Sequence, residues 1–151
     1  MDTRALTPQM ARQIISADMF FIASRSEVLG EARNSGIDVN HRGGQPGFVK
    51  LEDNGELLFP DYDGNNFFNS LGNIMLDSRV ALMFPDFSTG DVITLAGHAE
   101  VIMDKGVLAS KYGGTRVVKV KPHAFRYAPC ALPIKYKLSE RSDDSPSPDS
   151  L

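Results

Sequence analysis

Between Val39 and Asn73 the chain reads VNHRGGQPGFVKLEDNGELLFPDYDGNNFFNSLGN, and its parsing decides the fold. Asn54-Gly55 stands between two short apolar runs, Phe48 to Leu51 and Glu56 to Phe59. An Asn-Gly pair in that setting is the strongest short-range signal for a tight β-hairpin. Upstream, Arg42-Gly43-Gly44-Gln45-Pro46-Gly47 must turn: glycine admits positive φ, and Pro46 has no N–H to give to a ladder. Ile37 to His41 is therefore the strand that enters this turn. Downstream, Asp61-Tyr62-Asp63-Gly64 has the composition of another turn. Asp63 is placed to cap a helix on which Phe67, Leu71, Ile74 and Met75 share one face, ending near Asp77.

Outward from this centre the chain stays rich in strands. Thr7 caps a short helix, with Pro8 tolerated in its first turn, Met10, Ile14 and Ile15 at helical spacing and an end near Ala17. Met19 to Ala23 is a continuous aromatic and β-branched run, suited to a strand covered on both faces. Ser24 to Gly36 is mostly polar. Arg79 to Phe84 is a further strand, and Ser88-Thr89-Gly90-Asp91 turns the chain. Val92 to Val101 alternates Ile93, Leu95 and Val101 with Thr94, His98 and Glu100, so one face is the wetter. Val117 to Tyr127 follows the same rule, with Val118 and Val120 against Lys119 and Lys121, while Lys105 to Thr115 reads as a short helix or a loop. These strands predict a mainly β fold with few helices, closed as an antiparallel barrel. One domain is expected over residues 1–138. Residues 139–151, SERSDDSPSPDSL, are polar, acidic and proline-bearing, and predict a disordered tail.

A chain of 151 residues with 42% apolar residues and 9% aromatics can build one core. Its net charge of −3 gives no basic footprint for a phosphate backbone, so nucleic acid is not an expected partner. The sole cysteine, Cys130, cannot form an internal disulfide, which fits a reducing compartment. No stretch reaches the length of a membrane span and no signal-like apolar run opens the chain, so a cytoplasmic protein that does not enter membranes is expected.

The chemistry concentrates in the same central stretch. Arg42 at the mouth of the glycine turn offers a planar fork for phosphate oxygens, and Lys50 on the next strand offers a point charge. The helix start at Gly64-Asn65-Asn66 would add backbone N–H groups and the positive end of a dipole. Together these are the parts of a site for a phosphorylated ligand. The same residues read equally well as solvated or ion-paired side chains around an ordinary helix cap.

Three spaced motifs resemble the pyridoxamine 5′-phosphate oxidase-like FMN-binding split barrels: HRGG-x-PGFV at His41 to Val49, FPDY-x-GN at Phe59 to Asn65, and SLGN at Ser70 to Asn73. The likeness extends over roughly Asp18 to Val101, taking in the MFFIAS strand, the RVALMFPDF strand and the strand that contains Gly97. It implies a six-stranded antiparallel Greek-key split β-barrel, a homodimer, and FMN bound in grooves between the subunits. Carried over by position, Lys50 and Arg42 resemble the basic residues around the phosphate and ribityl chain. Pro60, Asp61 and Tyr62 resemble the strand end lining the flavin, with His41 beside it. Asn65 and Asn66 stand where the oxidases proper carry a basic pair, which leaves more of the phosphate to helix and side-chain amides. Arg42 and the amides of Gly43 and Gly44 could meet the negative charge that a flavin gains on reduction.

The activity implied is an FMN-dependent oxidoreductase that passes hydride or electrons, with a small-molecule donor or acceptor such as NADH or NADPH. The alternatives are a non-catalytic protein that stores or senses FMN, and a split barrel that carries haem or a deazaflavin, for which His41 would be the first haem ligand to consider. His41, His98 and His123 do not form a convincing metal triad, and no metal is expected. No catalytic residue is singled out: Cys130 reads as a packed thiol, and the carboxylates Asp61 and Asp63 have turn and cap duties.

Overall fold

A computed structural model describes residues 2–25, 36–61, 68–103, 116–133 and 136. The elements in chain order are β1 (Asp2–Thr3), α1 (Pro8–Ser16), β2 (Met19–Arg25), β3 (Ile37–Gly43), β4 (Lys50–Leu51), β5 (Leu57–Asp61), α2 (Phe68–Leu76), β6 (Arg79–Pro85), β7 (Val92–Met103) and β8 (Arg116–Ala128). The 105–115 segment, the helix start with its Asp63 cap, and the 139–151 tail lie outside the described residues.

One antiparallel sheet of eight strands runs in the order β3-β2-β6-β7-β8-β5-β4, with β1 paired to β8. The sequence predicts six strands and closure. The structure has six strands of five or more residues and two of only two residues, β1 and β4. Its path is also open, because no pairing joins β3 to β4 among the described residues. A two-residue β4 offers little ladder, and the proline and glycines of residues 43–47 fall where β3 would have to continue.

The hairpin forms where Asn54-Gly55 places it. Gly55 has φ +84°, the Asn54 side-chain oxygen accepts from the Glu56 amide at 3.0 Å, and the Glu52 amide donates to the Glu56 carbonyl at 2.9 Å. Thr7 caps α1 by accepting from the Met10 amide at 3.3 Å. Met10 and Ile14 bury themselves over one end of the sheet, while Ile15 stays 43% exposed.

Register fixes which side chains share a face, since neighbours along a strand alternate. Phe20, Ile22 and Ser24 on β2, Val80, Leu82 and Phe84 on β6, and Ile93, Leu95 and Ala99 on β7 all point inward and are buried. The centre of this face is aromatic. Phe20 lies 4.8 Å edge-on from Phe59, 5.0 Å from Phe84 and 5.8 Å from Phe48, so strands far apart on the sheet path meet in one core.

The long β7–β8 ladder carries an irregularity between Ala96 and Gly97, where Gly97 pairs with Pro122 and His123 is the extra residue. A Cβ on Gly97 would sit 2.6 Å from the Lys121 carbonyl oxygen and 2.9 Å from Pro122 Cα. Backbone cannot yield as a side chain does. Gly97→Ala is therefore expected to cost about 1–3 kcal/mol, read as a lower urea midpoint at unchanged slope. Gly72 in α2 has open space around its missing Cβ, and Gly72→Ala is expected to stabilise the protein by about 0.5–1 kcal/mol, read as a higher urea midpoint. A Gly97→Ala protein as stable as the parent would mean that the bulge is not built this way.

Candidate functional site

Strand β3 reverses the usual polarity of a sheet strand. Its inward series is Asp38, Asn40 and Arg42, the register partners of buried Ser24, Ile22 and Phe20, whereas its outward series is Ile37, Val39 and His41. Polar groups thus stand on the core-facing side of β3 at the open end of the sheet, with Arg42 buried there. The Asn73 side-chain amide donates to Asp38 Oδ2 at 2.8 Å and to Ser24 Oγ at 3.3 Å, binding α2 to β2 and β3. The last residue of the SLGN motif is in this way a tether for the helix.

Arg42 is 2% exposed and Asp61 4%. Arg42 Nε lies 3.8 Å from Asp61 Oδ1, and Arg116 Nη2 lies 3.1 Å from Asp61 Oδ2. Arg42 also donates from Nη1 to the His41 carbonyl at 3.1 Å. Burial pulls the Arg42 guanidinium below its ordinary pKa, and Asp61 acts against that pull. The open edge at β3 and the end of β5 are thus joined by charge rather than by a backbone ladder. Arg116, at the start of β8, is a member that its sequence surroundings do not announce. It is the register partner of Asp61, and only that long-range pairing brings it in.

The other expected residues divide between two faces. Lys50 pairs with Leu58, and Leu58 with Lys119. Leu58 packs with Val117 in a small cluster apart from the core that holds Leu57 and Phe59. Lys50 consequently stands on the opposite face from Arg42, Asp61 and Arg116, and the structure does not bring Lys50 and Arg42 together around one point. His41 is outward and exposed beside Phe21. Pro60 is buried in β5. The Gly44 amide donates to the Asp18 carbonyl at 2.9 Å, and a Cβ on Gly44 would lie 2.7 Å from the Phe48 ring. The turn is therefore packed tightly onto its own chain, with Gly43 closing the β3 ladder opposite Met19. Tyr62, Asn65 and Asn66 lie outside the described residues.

Among the described residues no three His, Cys, Asp or Glu side chains are grouped as metal ligands. His98 Nδ1 is 2.9 Å from Ser78 Oγ, and its ring lies 5.7 Å from that of His123. Cys130 is exposed and not the packed thiol that its sequence suggests: it stands in a turn at φ +49°, with its amide donating to Asp91 Oδ1 at 2.9 Å. The other oxygen of that carboxylate accepts from the Tyr127 hydroxyl at 2.7 Å, which holds the Asp91 carboxyl below its usual pKa and raises that of the tyrosine. Gln9 donates to the same hydroxyl at 2.9 Å, so this cluster ties α1 to the end of β8.

In its fold the chain is similar to several solved structures. It superposes on a Lactobacillus delbrueckii protein named as a pyridoxamine 5′-phosphate oxidase with a TM-score of 0.60 at 18% identity, over 82% of this chain and 95% of that one. The HupZ protein of Group A Streptococcus gives 0.59 at 13% identity, over 87% and 100% of the two chains. An FAD binding protein of Mycobacterium smegmatis gives 0.52 at 14% identity, over 82% and 97%. No family model matches the chain, and no curated protein matches it. At these identities the likeness is one of fold: mainly β, with few helices. No helix among the described residues is long and apolar enough to cross a membrane.

Proposed function

We propose that this chain is a cytoplasmic, homodimeric, FMN-dependent oxidoreductase built on a six-stranded Greek-key split barrel. The observation that carries the reading is the junction of β3 and β5, where a buried Arg42–Asp61–Arg116 cluster replaces ladder hydrogen bonds at the open end of a sheet whose fold neighbours include an FAD binding protein. The donor set suits a phosphorylated, aromatic ligand. Arg42 near the end of β3 and Arg116 at the start of β8 stand against the Asp61 carboxylate, with Lys50 of β4 on the other face, and the strand end they border is apolar up to Asp61.

In this reading Lys50 supports the phosphate by charge from the outer face, with His41 on the same side of the sheet. Arg42 acts as a positioning residue: with Arg116 it fixes Asp61, and through it the Pro60–Asp61–Tyr62 strand end that borders the ring. Gly43, Gly44, Asn65 and Asn66 complete the proposed cofactor set. FMN, when bound, supplies a ring that takes up a hydride and hands on electrons, the donor being a reduced nicotinamide such as NADH or NADPH. The protein's share is to hold the ring, exclude water from it and place the second substrate.

The visible spectrum of purified protein, before and after incubation with FMN and gel filtration, tests the cofactor. Co-eluting flavin bands are expected, whereas a Soret band would replace FMN by haem and no retained chromophore would remove the proposal. Oxidation of NADH or NADPH by the loaded protein then separates an oxidoreductase from a protein that only stores or senses flavin. Lys50→Ala is expected to weaken FMN binding by roughly tenfold, the scale of one charge-assisted contact. Riboflavin, which lacks the phosphate, should lose less than about twofold. Equal losses for both ligands would take the phosphate away from Lys50.

A further inference from the structure

The irregularity between Ala96 and Gly97 decides where His123 stands. Val120 and Phe125 on β8 are both buried although they are five residues apart, and strict alternation would put them on opposite faces. The extra residue that reconciles them is His123, and the bulge sets it on the face opposite the core. There its ring lies 5.7 Å from that of His98 on β7, with 40° between the planes, and both residues are exposed. Gly97 is what allows this, because the Lys121 carbonyl and Pro122 pass where its Cβ would be. Two imidazoles from neighbouring strands are thereby held side by side.

His98 is also fixed from behind. Its Nδ1 is 2.9 Å from Ser78 Oγ, and Ser78 is itself held to β7 by the Ala99 amide, which donates to the Ser78 carbonyl at 2.7 Å. In the tautomer that donates Nδ1–H to Ser78, the Nε2 lone pair is turned over to a ligand, the arrangement that orients metal-binding histidines. A zinc–nitrogen bond of about 2.0–2.1 Å puts a ligating ring centre roughly 3.2 Å from the ion, so two tetrahedrally placed rings have centres about 5.2 Å apart. The observed separation exceeds this by about 0.5 Å, a movement within the reach of exposed side chains. The charges around the pair are engaged with one another: Arg25 and Arg79 with Asp77, and Lys119 with Glu100, while Lys121, the register partner of His98, stands exposed. An ion is therefore held here by bonds to imidazole and not by a field of carboxylates. We infer that His98 and His123 form a two-imidazole site for a divalent transition-metal ion, Zn²⁺, Ni²⁺ or Cu²⁺, with water at the remaining positions. Mg²⁺ and Ca²⁺, which take oxygen ligands, do not suit this donor set. The site shares no residue with the proposed flavin set.

The test uses the full chain with Cys130→Ser, so that the sole cysteine does not compete, after dialysis against a chelator. Zn²⁺ followed by calorimetry is expected to bind at one ion per chain, and Cu²⁺ to show two nitrogen ligands in electron paramagnetic resonance. His98→Ala and His123→Ala should each weaken Zn²⁺ binding by at least about tenfold, and Ser78→Ala by roughly tenfold through loss of the partner that orients His98. His41→Ala, which removes the third histidine, should change it by less than about twofold, and excess Mg²⁺ should not compete. Both side chains are exposed, so the ion-free variants are expected to unfold at the urea concentration of the parent; His98→Gln and His123→Gln give the same reading if an alanine variant does not. A parent that takes up no Zn²⁺ overturns the site. So does binding that survives either histidine substitution, or that falls as far with His41→Ala.

Discussion

Arg42→Ala is expected to destabilise the protein by about 3–5 kcal/mol, because it takes from the buried Asp61 carboxylate one of the two guanidinium partners it has among the described residues. Breaking into a buried charged cluster costs more than the intact cluster is worth, since the desolvated carboxylate that remains keeps Arg116 at 3.1 Å but has lost part of its compensation. Asp61→Ala should be at least as damaging, as it sets the guanidiniums of Arg42 and Arg116 facing each other with the carboxylate between them gone. Urea denaturation of the two variants and of the double variant gives the coupling directly. Losses below about 1 kcal/mol, the scale of an exposed ion pair, would mean that β3 and β5 are not held together in solution as described. Because Arg42 lies inward, its loss is also expected to weaken FMN and riboflavin alike, in contrast to Lys50→Ala.

The second large effect belongs to Phe20, which touches the rings of Phe48, Phe59 and Phe84 and is fully buried. Phe20→Ala is expected to cost about 3–5 kcal/mol through lost burial and the cavity left among three rings that cannot all collapse onto it. Phe20→Leu, which keeps most of the volume, should cost clearly less, on the order of 1–2 kcal/mol. If the two variants unfold at the same urea concentration, Phe20 is not at the centre of the core.

Much of this architecture is legible from local chemistry. The Asn54-Gly55 hairpin, the Thr7 cap and the alternation along Val92 to Val101 are determined by residues a few positions apart, and each appears where the sequence predicts it. What is not legible depends on register between distant strands. That Arg42 and Lys50 end on opposite faces follows from the pairings Arg42–Phe20 and Lys50–Leu58, and neither motif contains that information. Arg116 enters the buried cluster only because β8 lies beside β5. The same limit applies to strand count: β1 has two residues and no hydrophobic pattern, and it exists because β8 offers it an edge opposite Phe125 and Arg126. The SLGN motif shows the converse, since Asn73 was legible as part of a family signature whereas its task, joining α2 to Asp38 and Ser24, became visible only in three dimensions.

The position of β5 between β4 and β8 also bears on how the chain emerges from the ribosome. Strands β2, β3, β6 and β7 are neighbours in the sheet and can pair once β7 has been made, but β5, apolar from Leu57 to Phe59, has only the two-residue β4 beside it until β8 arrives. Since β8 begins at Arg116, translation at roughly 5–20 residues per second leaves that apolar strand with an unpaired edge for several seconds. Chaperone demand and the risk of aggregation therefore fall on the nascent chain between the two strands, not on the finished sheet.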